Sequence, residues 1–392
     1  MNLPLSQIMN TEATITQDKT YTSTNECKLN GGNVAVVILN YNGRDYLKRF
    51  LPSVLQHSGD AVVIVADNGS TDDSCTLLRE QFPTIQSITF DCNYGFAEGY
   101  NRALRQIDAQ YYILLNSDVE VSPDWITPLL SYMDTHPNTA ACQPKLLSYD
   151  RRDTFEYAGA AGGYIDRWGY PFCRGRVMGT IERDQGRYNN IAEVFWATGA
   201  CLMIRSQDYH ANGGLDGRFF AHMEEIDLCW RLKARGRSIV CIPQSTVWHV
   251  GGGTLAADHP RKTYLNFRNN LLMIYKNTNK KRFRRIAFVR FWLDIAAALH
   301  LLLQGHPANA REVLHAQRDF LRMRPQMTPQ RDENLRLTTV HTIPEMLPQS
   351  LLVAYYLKGA KTYDKLMKQQ HHTPQPFSPA NPTNTSSNTD NQ

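Results

Sequence analysis

Between Val34 and Asp118, short runs of β-branched and aromatic residues alternate with longer stretches whose apolar residues recur at helical spacing. VAVVIL at 34–39 precedes a helical segment near 44–57, and VVIVA at 62–66 precedes one near 72–81. IQSITF at 85–90 precedes one near 96–107, and YYILL follows at 111–115. A strand-to-strand pitch of about 25 residues is that of βαβ units, which demand a parallel sheet with helices on its faces. Each run ends in small polar or acidic residues: Asn40-Tyr41-Asn42, Asp67-Asn68-Gly69-Ser70, Asp91-Cys92-Asn93-Tyr94-Gly95 and Asn116-Ser117-Asp118. These are ordinary turn formers. Their recurrence at all four ends points to a ligand crevice, which open parallel sheets form outside the carboxyl ends of their strands.

The flanks read differently. Residues 1–32 are polar, rich in Thr and Asn and without an apolar period, so we expect a flexible tail followed by a folded domain over 33–275. Residues 369–392, with Pro and Asn and almost no charge, cannot bury enough surface to offset their ordering entropy. Between these lies 276–368, expected to be helical, basic and amphipathic. Lys276, Lys280, Lys281, Arg282, Arg284, Arg285 and Arg290 come without an intervening acid. Phe288, Phe291, Trp292, Ile295, Leu299, Leu302 and Leu303 then recur at helical spacing. We read this apolar stretch as about fourteen residues interrupted by Arg290 and Asp294, short of the ~20 needed to span a bilayer. A second such segment, Leu351 to Leu357, is flanked by Lys358, Lys361, Lys365 and Lys368. Two readings stay open: peripheral contact with an anionic membrane, or a helical appendage packed on the catalytic domain or on a second subunit.

Composition narrows the class. With 392 residues, 42% hydrophobic and 20% charged, the chain is no collagen, disulfide miniprotein or wholly disordered protein. The net charge of +5 is more than accounted for by the basic stretch, so no broad nucleic-acid face is expected. The eight cysteines form no CxxC, and the first twenty residues lack the basic and apolar regions of a secretory signal. The expected location is cytoplasmic, with free thiols, and an integral transporter or channel is excluded.

The chemistry-bearing residues follow. Glycines in Asn93-Tyr94-Gly95-Phe96-Ala97-Glu98-Gly99-Tyr100-Asn101 suit close approach of backbone to an anion at a helix start. The first βα turn holds only Gly43 and no GxGxxG, which argues against a nicotinamide dehydrogenase. Asp118, just past an apolar strand, offers a carboxylate to a hard cation or caps the next helix. Glu224, Glu225 and Asp227 crowd the start of a helix, where acids oppose the dipole. Held among Phe219, Phe220 and Trp230, a paired carboxylate could equally have a raised pKa and serve as a base. His249, ending an apolar run before Gly251-Gly252-Gly253-Thr254, is a structural residue or a metal ligand.

Taken together, VVILNYNG, VADNGSTDDS, CNYGFAEGYNRAL, LLNSDVEVSPDW, WATGACLMIRS, FFAHMEEIDLCWRL and WHVGGGT, in that order from Val34 to Thr254, resemble the family 2 inverting glycosyltransferases, especially the rhamnosyltransferase-like branch. The resemblance implies an α/β GT-A nucleotide-diphospho-sugar transferase fold with a mostly parallel central sheet, plus a helical C-terminal extension. It implies that Tyr41 and Asp67 contact the donor nucleoside, and that Asn40 and the Asn93, Gly95 and Asn101 loop line the diphosphate and sugar. Asp118 would match the second acid of the family's DxD motif. Asn116 stands at the first acidic position, which leaves one strong ligand there.

The same resemblance makes His249 an additional ligand for a divalent cation, Mg or Mn, and Glu225, the second member of the Glu224-Glu225 pair, the catalytic base. Trp196, Thr198 and Gly199 match the acceptor side. The implied reaction moves a sugar, rhamnose being one option, from a UDP- or dTDP-sugar to a glycan or lipid-linked acceptor at the inner face of the membrane. A sugar nucleotidyltransferase would need a basic, Gly-rich phosphate loop that Asn40-Tyr41-Asn42-Gly43 does not provide. A nucleotide-sugar-binding protein without turnover is the other alternative, kept open by Asn116 and Glu225.

Overall fold

The computed structural model describes residues 28–251 and 258–368. The expectations for 1–27, for the disordered tail at 369–392 and for the Gly252–Thr254 part of the glycine loop lie outside them. Four strands form the parallel half of the main sheet: β2 (Val34–Asn40), β3 (Val62–Asp67), β4 (Gln86–Thr89) and β6 (Tyr111–Asn116). Their order is β4-β3-β2-β6, and the connecting helices are α1 (Arg44–His57), α2 (Ser74–Gln81) and α3 (Gly95–Arg105). The predicted βαβ pitch is therefore present. Along β2, Ala35 and Val37 face one core while Val34, Val36 and Ile38 face the other. Burial on both faces explains why the strand reads as a continuous apolar run.

The other half of the sheet is mixed. β14 (Cys201–Arg205) pairs antiparallel with β6 and with β8 (Thr139–Ser148), and β15 (Ser238–His249) runs parallel to β8. β13 (Ala192–Glu193) and β7 (Val119–Val121) both pair antiparallel with β15. α4 (Ile126–Thr135) precedes β8, and α5 (Ser206–Ala211) and α6 (Glu224–Ala234) lie between β14 and β15. A small second sheet has the order β12-β11-β10-β9-β16. It comprises β9 (Gly163–Asp166), β10 (Pro171–Cys173), β11 (Arg176–Val177), β12 (Thr180–Ile181) and β16 (Met346–Leu347).

Order begins earlier than expected, and the C-terminal helices pack on the preceding domain, one of the two readings left open. Leu29–Asn30 form a strand, β1, parallel to β5 (Ile107–Asp108), and the Leu29 amide donates to Gln106 O at 2.8 Å. Leu29 packs on the core, so order begins before residue 33. At the other end, α7 (Pro260–Asn277), α8 (Lys280–Leu303), α9 (Pro307–Met323), α10 (Thr328–Arg336) and α11 (Tyr363–Lys368) follow. Phe283, Ile286, Phe320, Leu351 and Leu366 join the same buried cluster as Trp196 and Phe219. The helical region is thus continuous with the domain it follows.

The expected apolar stretch of about fourteen residues in α8 is too short. The helix has 24 residues and is, by length and composition, long and apolar enough to cross a membrane. The two charges within its apolar part are both buried. Arg290 and Asp294 are 2% and 0% exposed and pair at 3.2 Å. Arg290 also donates to Asn270 and to Trp168 O, and Gln317 of α9 donates to Asp294. One side of α8 is therefore fastened to the globular domain by a polar seam. The opposite side leaves Phe288, Trp292, Leu299 and Leu303 exposed.

Candidate active site

Register brings the strand ends together: Asn40 stands opposite Asp67, and Leu39 opposite Asn116. Asn40 Nδ2 donates to Asp67 Oδ2 at 2.9 Å and to Ser70 Oγ at 3.2 Å, and the Ser70 amide donates to Asp67 Oδ1 at 2.9 Å. Both oxygens of the buried Asp67 are thus engaged. The carboxylate braces the turn from within, and each oxygen keeps a further lone pair for another donor. Asn40 Oδ1 is buried without a partner, while Tyr41 exposes its ring at the rim.

The third loop divides into two parts. Asn93 Oδ1 accepts from the Gly95 amide at 2.8 Å and from Asn68 at 3.1 Å, which shapes the start of α3. Gly95 has φ +78°, and a Cβ there would lie 2.5 Å from the Phe220 ring, so only glycine lets the two segments close. Asn101 does not line this crevice. It is buried, donating to Leu215 O at 2.7 Å and accepting from Tyr209 Oη at 2.7 Å, so it ties α3 to the 209–215 segment.

On the acceptor side the three expected residues also separate. Trp196 is buried, its indole donates to Tyr164 O at 2.9 Å, and it packs over Gly163, so it belongs to the core. Thr198 is likewise buried, accepting from the Ala200 amide at 3.2 Å. Gly199 alone borders the chemistry. A Cβ there would lie 3.0 Å from the Phe96 ring and 3.9 Å from Glu225 Cβ. The next residue, Ala200, accepts from the Asn116 amide at 3.0 Å. The Gly199-Ala200 step therefore connects the end of β6 to the start of α6.

The Glu224-Glu225 pair opens α6 after a turn in which Phe220, His222 and Met223 have φ of +66°, +71° and +73°. Non-glycine residues rarely adopt this region, and clusters of them are kept at functional sites. Glu224 Oε2 and Glu225 Oε2 are both buried without a hydrogen-bond partner. Burial, followed by the charge of Glu225, holds Glu224 well above the usual carboxylate range. Burial pushes Glu225 up to about 7, against the pull of nearby backbone amides. Asp227 serves the scaffold instead. It is fully buried and pairs with Arg231 at 3.0 Å and with Lys276 at 2.8 Å.

At the far side of the crevice, His249 Nε2 lies 3.1 Å from Asp118 Oδ1 and 3.4 Å from Asn116 Nδ2. Nδ1 faces Glu156 Oε1 at 3.4 Å. Burial opposes a charge on His249, but Asp118 and Glu156 prevail and raise it to about 10. Burial would raise Asp118, yet His249 and backbone amides bring it below its ordinary value. Among the described residues, no three His, Cys, Asp or Glu side chains converge on one metal position. The donor set is one carboxylate oxygen and one imidazole nitrogen, a pair that suits Mn²⁺ and leaves most coordination positions for other ligands. Sequence reasoning did not find Glu156. It lies in FEYAGA, between two strands, and only its burial against a histidine 93 positions later reveals it.

Residues 35–198 match the family model Glycosyl transferase family 2. N-acetylglucosaminyl-diphospho-decaprenol L-rhamnosyltransferase of Mycobacterium tuberculosis is 27% identical over 252 residues, covering 59% of this chain and 82% of the relative. The rhamnosyltransferase WbbL of Escherichia coli is 22% identical, covering 64% and 94%. The low-salt glycan biosynthesis hexosyltransferase Agl10 of Haloferax volcanii is 24% identical, covering 63% and 78%. Residues 35–198 thus carry a glycosyl transferase family 2 domain, and over the wider span that these relatives cover the chain is similar to glycosyltransferases of cell-surface glycan synthesis.

Proposed function

We propose that the protein transfers a hexosyl unit, rhamnose in the first instance, from a UDP- or dTDP-sugar to a glycan or lipid-linked acceptor in cell-surface polysaccharide synthesis, with inversion. The observation that carries this reading is the Glu224-Glu225 pair, each with one carboxylate oxygen buried and unpartnered, presented by a left-handed turn beside Gly199. The matched rhamnosyl- and hexosyltransferases support the substrate class.

In the single displacement, Glu225 takes the proton of an acceptor hydroxyl and the freed oxygen bonds to the anomeric carbon. The bond from that carbon to the diphosphate breaks, and its electron pair leaves with the nucleoside diphosphate. A base with a pKa of about 7 is matched to neutral pH. Asp118 and His249 would hold a divalent cation, Mn²⁺ or Mg²⁺, which when bound neutralises charge on the diphosphate. Asn40 and the backbone around Gly95 orient the donor, and Phe96 shields the Glu225 side of the crevice from water.

The exposed side of α8 supports work at a membrane surface. Phe288, Phe291, Trp292, Leu299, Leu302 and Leu303 are exposed along it, and the exposed Lys280, Lys281, Arg284 and Arg285 precede them. Apolar side chains beside cations suit an anionic bilayer at its cytoplasmic face, where a lipid-linked acceptor would be met.

The test is nucleoside diphosphate release from UDP-, dTDP- and GDP-sugars with Mn²⁺, Mg²⁺ or EDTA and a lipid-extract acceptor, with Glu225→Ala as control. Release from one donor, dependent on the cation and lost in the variant, is expected. Donor binding without turnover on authentic acceptors would overturn the proposal.

A further inference from the structure

The turn that delivers Glu224 and Glu225 has no glycine at Phe220, His222 or Met223, all of which have positive φ. Such a conformation persists only where its surroundings over-determine it. Here one side chain on α7 reaches three carbonyls of the turn. Asn269 is fully buried, and its Nδ2 lies 2.9 Å from Phe219 O, 2.8 Å from Ala221 O and 2.8 Å from His222 O. These three carbonyls belong to the turn itself.

The amide is held in this orientation. Arg268 Nε donates to Asn269 Oδ1 at 2.9 Å, which turns the nitrogen toward the carbonyls. The Arg268 guanidinium also donates to Arg218 O and Phe219 O at 3.2 Å each. The neighbouring Asn270 fixes α7 in turn, donating to Gly169 O at 2.6 Å. None of these groups reaches the crevice, so none is a catalytic residue.

We propose that Asn269 is the positioning residue for the base, clamping the left-handed turn so that the Glu225 carboxylate is aimed into the crevice and kept dry. The inference rests on the reading of Glu225 as the base. A carbonyl can only accept, so the clamp requires a neutral amide donor. A carboxylate of the same shape would face three carbonyl oxygens and push them apart. The small misplacement of a reacting group that follows from a loosened turn can lower the rate by ~10²-fold.

The experiment compares Asn269→Ala, Asn269→Gln and Glu225→Gln with the wild-type enzyme. It follows turnover against pH, affinity for the nucleoside diphosphate of the wild-type donor by calorimetry, and the melting temperature. For Asn269→Ala, kcat should fall roughly 10- to 100-fold. Nucleotide affinity should stay within about twofold, and the acid limb of the kcat profile should move below its wild-type position as water reaches Glu225. Asn269→Gln keeps the donor and should recover part of kcat and of the acid limb, which preserves the test if the alanine variant folds poorly. An unchanged kcat in Asn269→Ala, or a loss shared equally by kcat and nucleotide affinity with the acid limb in place, would overturn the proposal. Near wild-type turnover in Glu225→Gln would instead overturn the base assignment. An inactive Glu225→Gln beside a normal Asn269→Ala would sink the clamp alone.

Discussion

His249 Nε2 lies 3.1 Å from Asp118 Oδ1, although 131 positions separate the two residues. The pairing follows from β7 folding back on β15, where His249 stands opposite Val119. Glu156 approaches the other ring nitrogen at 3.4 Å, so the imidazole is bracketed by carboxylates. A carboxylate behind a metal-ligating histidine fixes the ring and raises its basicity. Glu156→Gln should therefore weaken Mn²⁺ binding by ~10- to 100-fold, measured by the paramagnetic signal of free Mn²⁺ with no substrate present. Unchanged affinity would remove Glu156 from the site.

Asn116 stands where the resemblance would place an acid, and its Nδ2 lies 3.4 Å from His249 Nε2. An amide nitrogen in that place cannot ligate a cation, whereas a carboxylate adds a hard oxygen. Asn116→Asp should tighten Mn²⁺ binding by roughly tenfold in the same titration. Equal or weaker binding would mean that residue 116 faces the cation from outside coordination range.

The Glu225 base is expected to impose an acid limb on kcat. Its folded pKa is about 7, so turnover should rise with pH through that value and then level off. Glu225→Ala should lose ~10²- to 10⁴-fold in kcat and also lose the limb. Near wild-type turnover in the variant would contradict the assignment.

Keeping two carboxylates dry has a stability consequence whose sign is fixed. Glu224 is raised well above its ordinary value of 4.5 by burial and by Glu225. The folded protein therefore holds that proton at a pH where the unfolded chain has released it. Stability falls as pH rises above the unfolded value, until the folded group also ionises. Glu224→Gln removes the burden, so its melting temperature should exceed wild type at about pH 8, and the gap should shrink toward pH 4.5. A gap that grows on acidification would contradict the burial account.

The parallel βαβ half of the sheet and the polar strand ends were legible because they depend on local pattern, whereas the antiparallel insertion of β14 was not. Val34–Asn40 is apolar on both faces, and its polar end needs no long-range information. Asn101 and Trp196 were misplaced for the opposite reason. The Asn101 partners, Tyr209 and Leu215, are more than a hundred residues away, and the Trp196 indole is taken up by Tyr164 O. Both lie inside recognisable motifs, but a motif does not reveal which way a side chain points. The left-handed turn was hidden as well, because Phe220, His222 and Met223 carry no glycine signal and are held by Asn269 on a later helix.

The two sides of α8 should respond to mutation in different assays. Arg290 and Asp294 form a buried pair that also holds Asn270 and Gln317. Removing one partner, as in Asp294→Ala, leaves a buried uncompensated charge and should cost ~3–5 kcal/mol of stability, visible as a lower melting temperature. Trp292 and Phe288 are 60% and 69% exposed on the outer side. Replacing both with Ser removes little folded-state packing, so the melting temperature should hold. Cosedimentation with phosphatidylglycerol vesicles at low salt should fall in that variant, because the apolar area available to the bilayer is lost while the cations remain. If the double variant sediments like the wild type, basic attraction alone accounts for binding. If neither sediments, the exposed side of α8 does not meet a membrane.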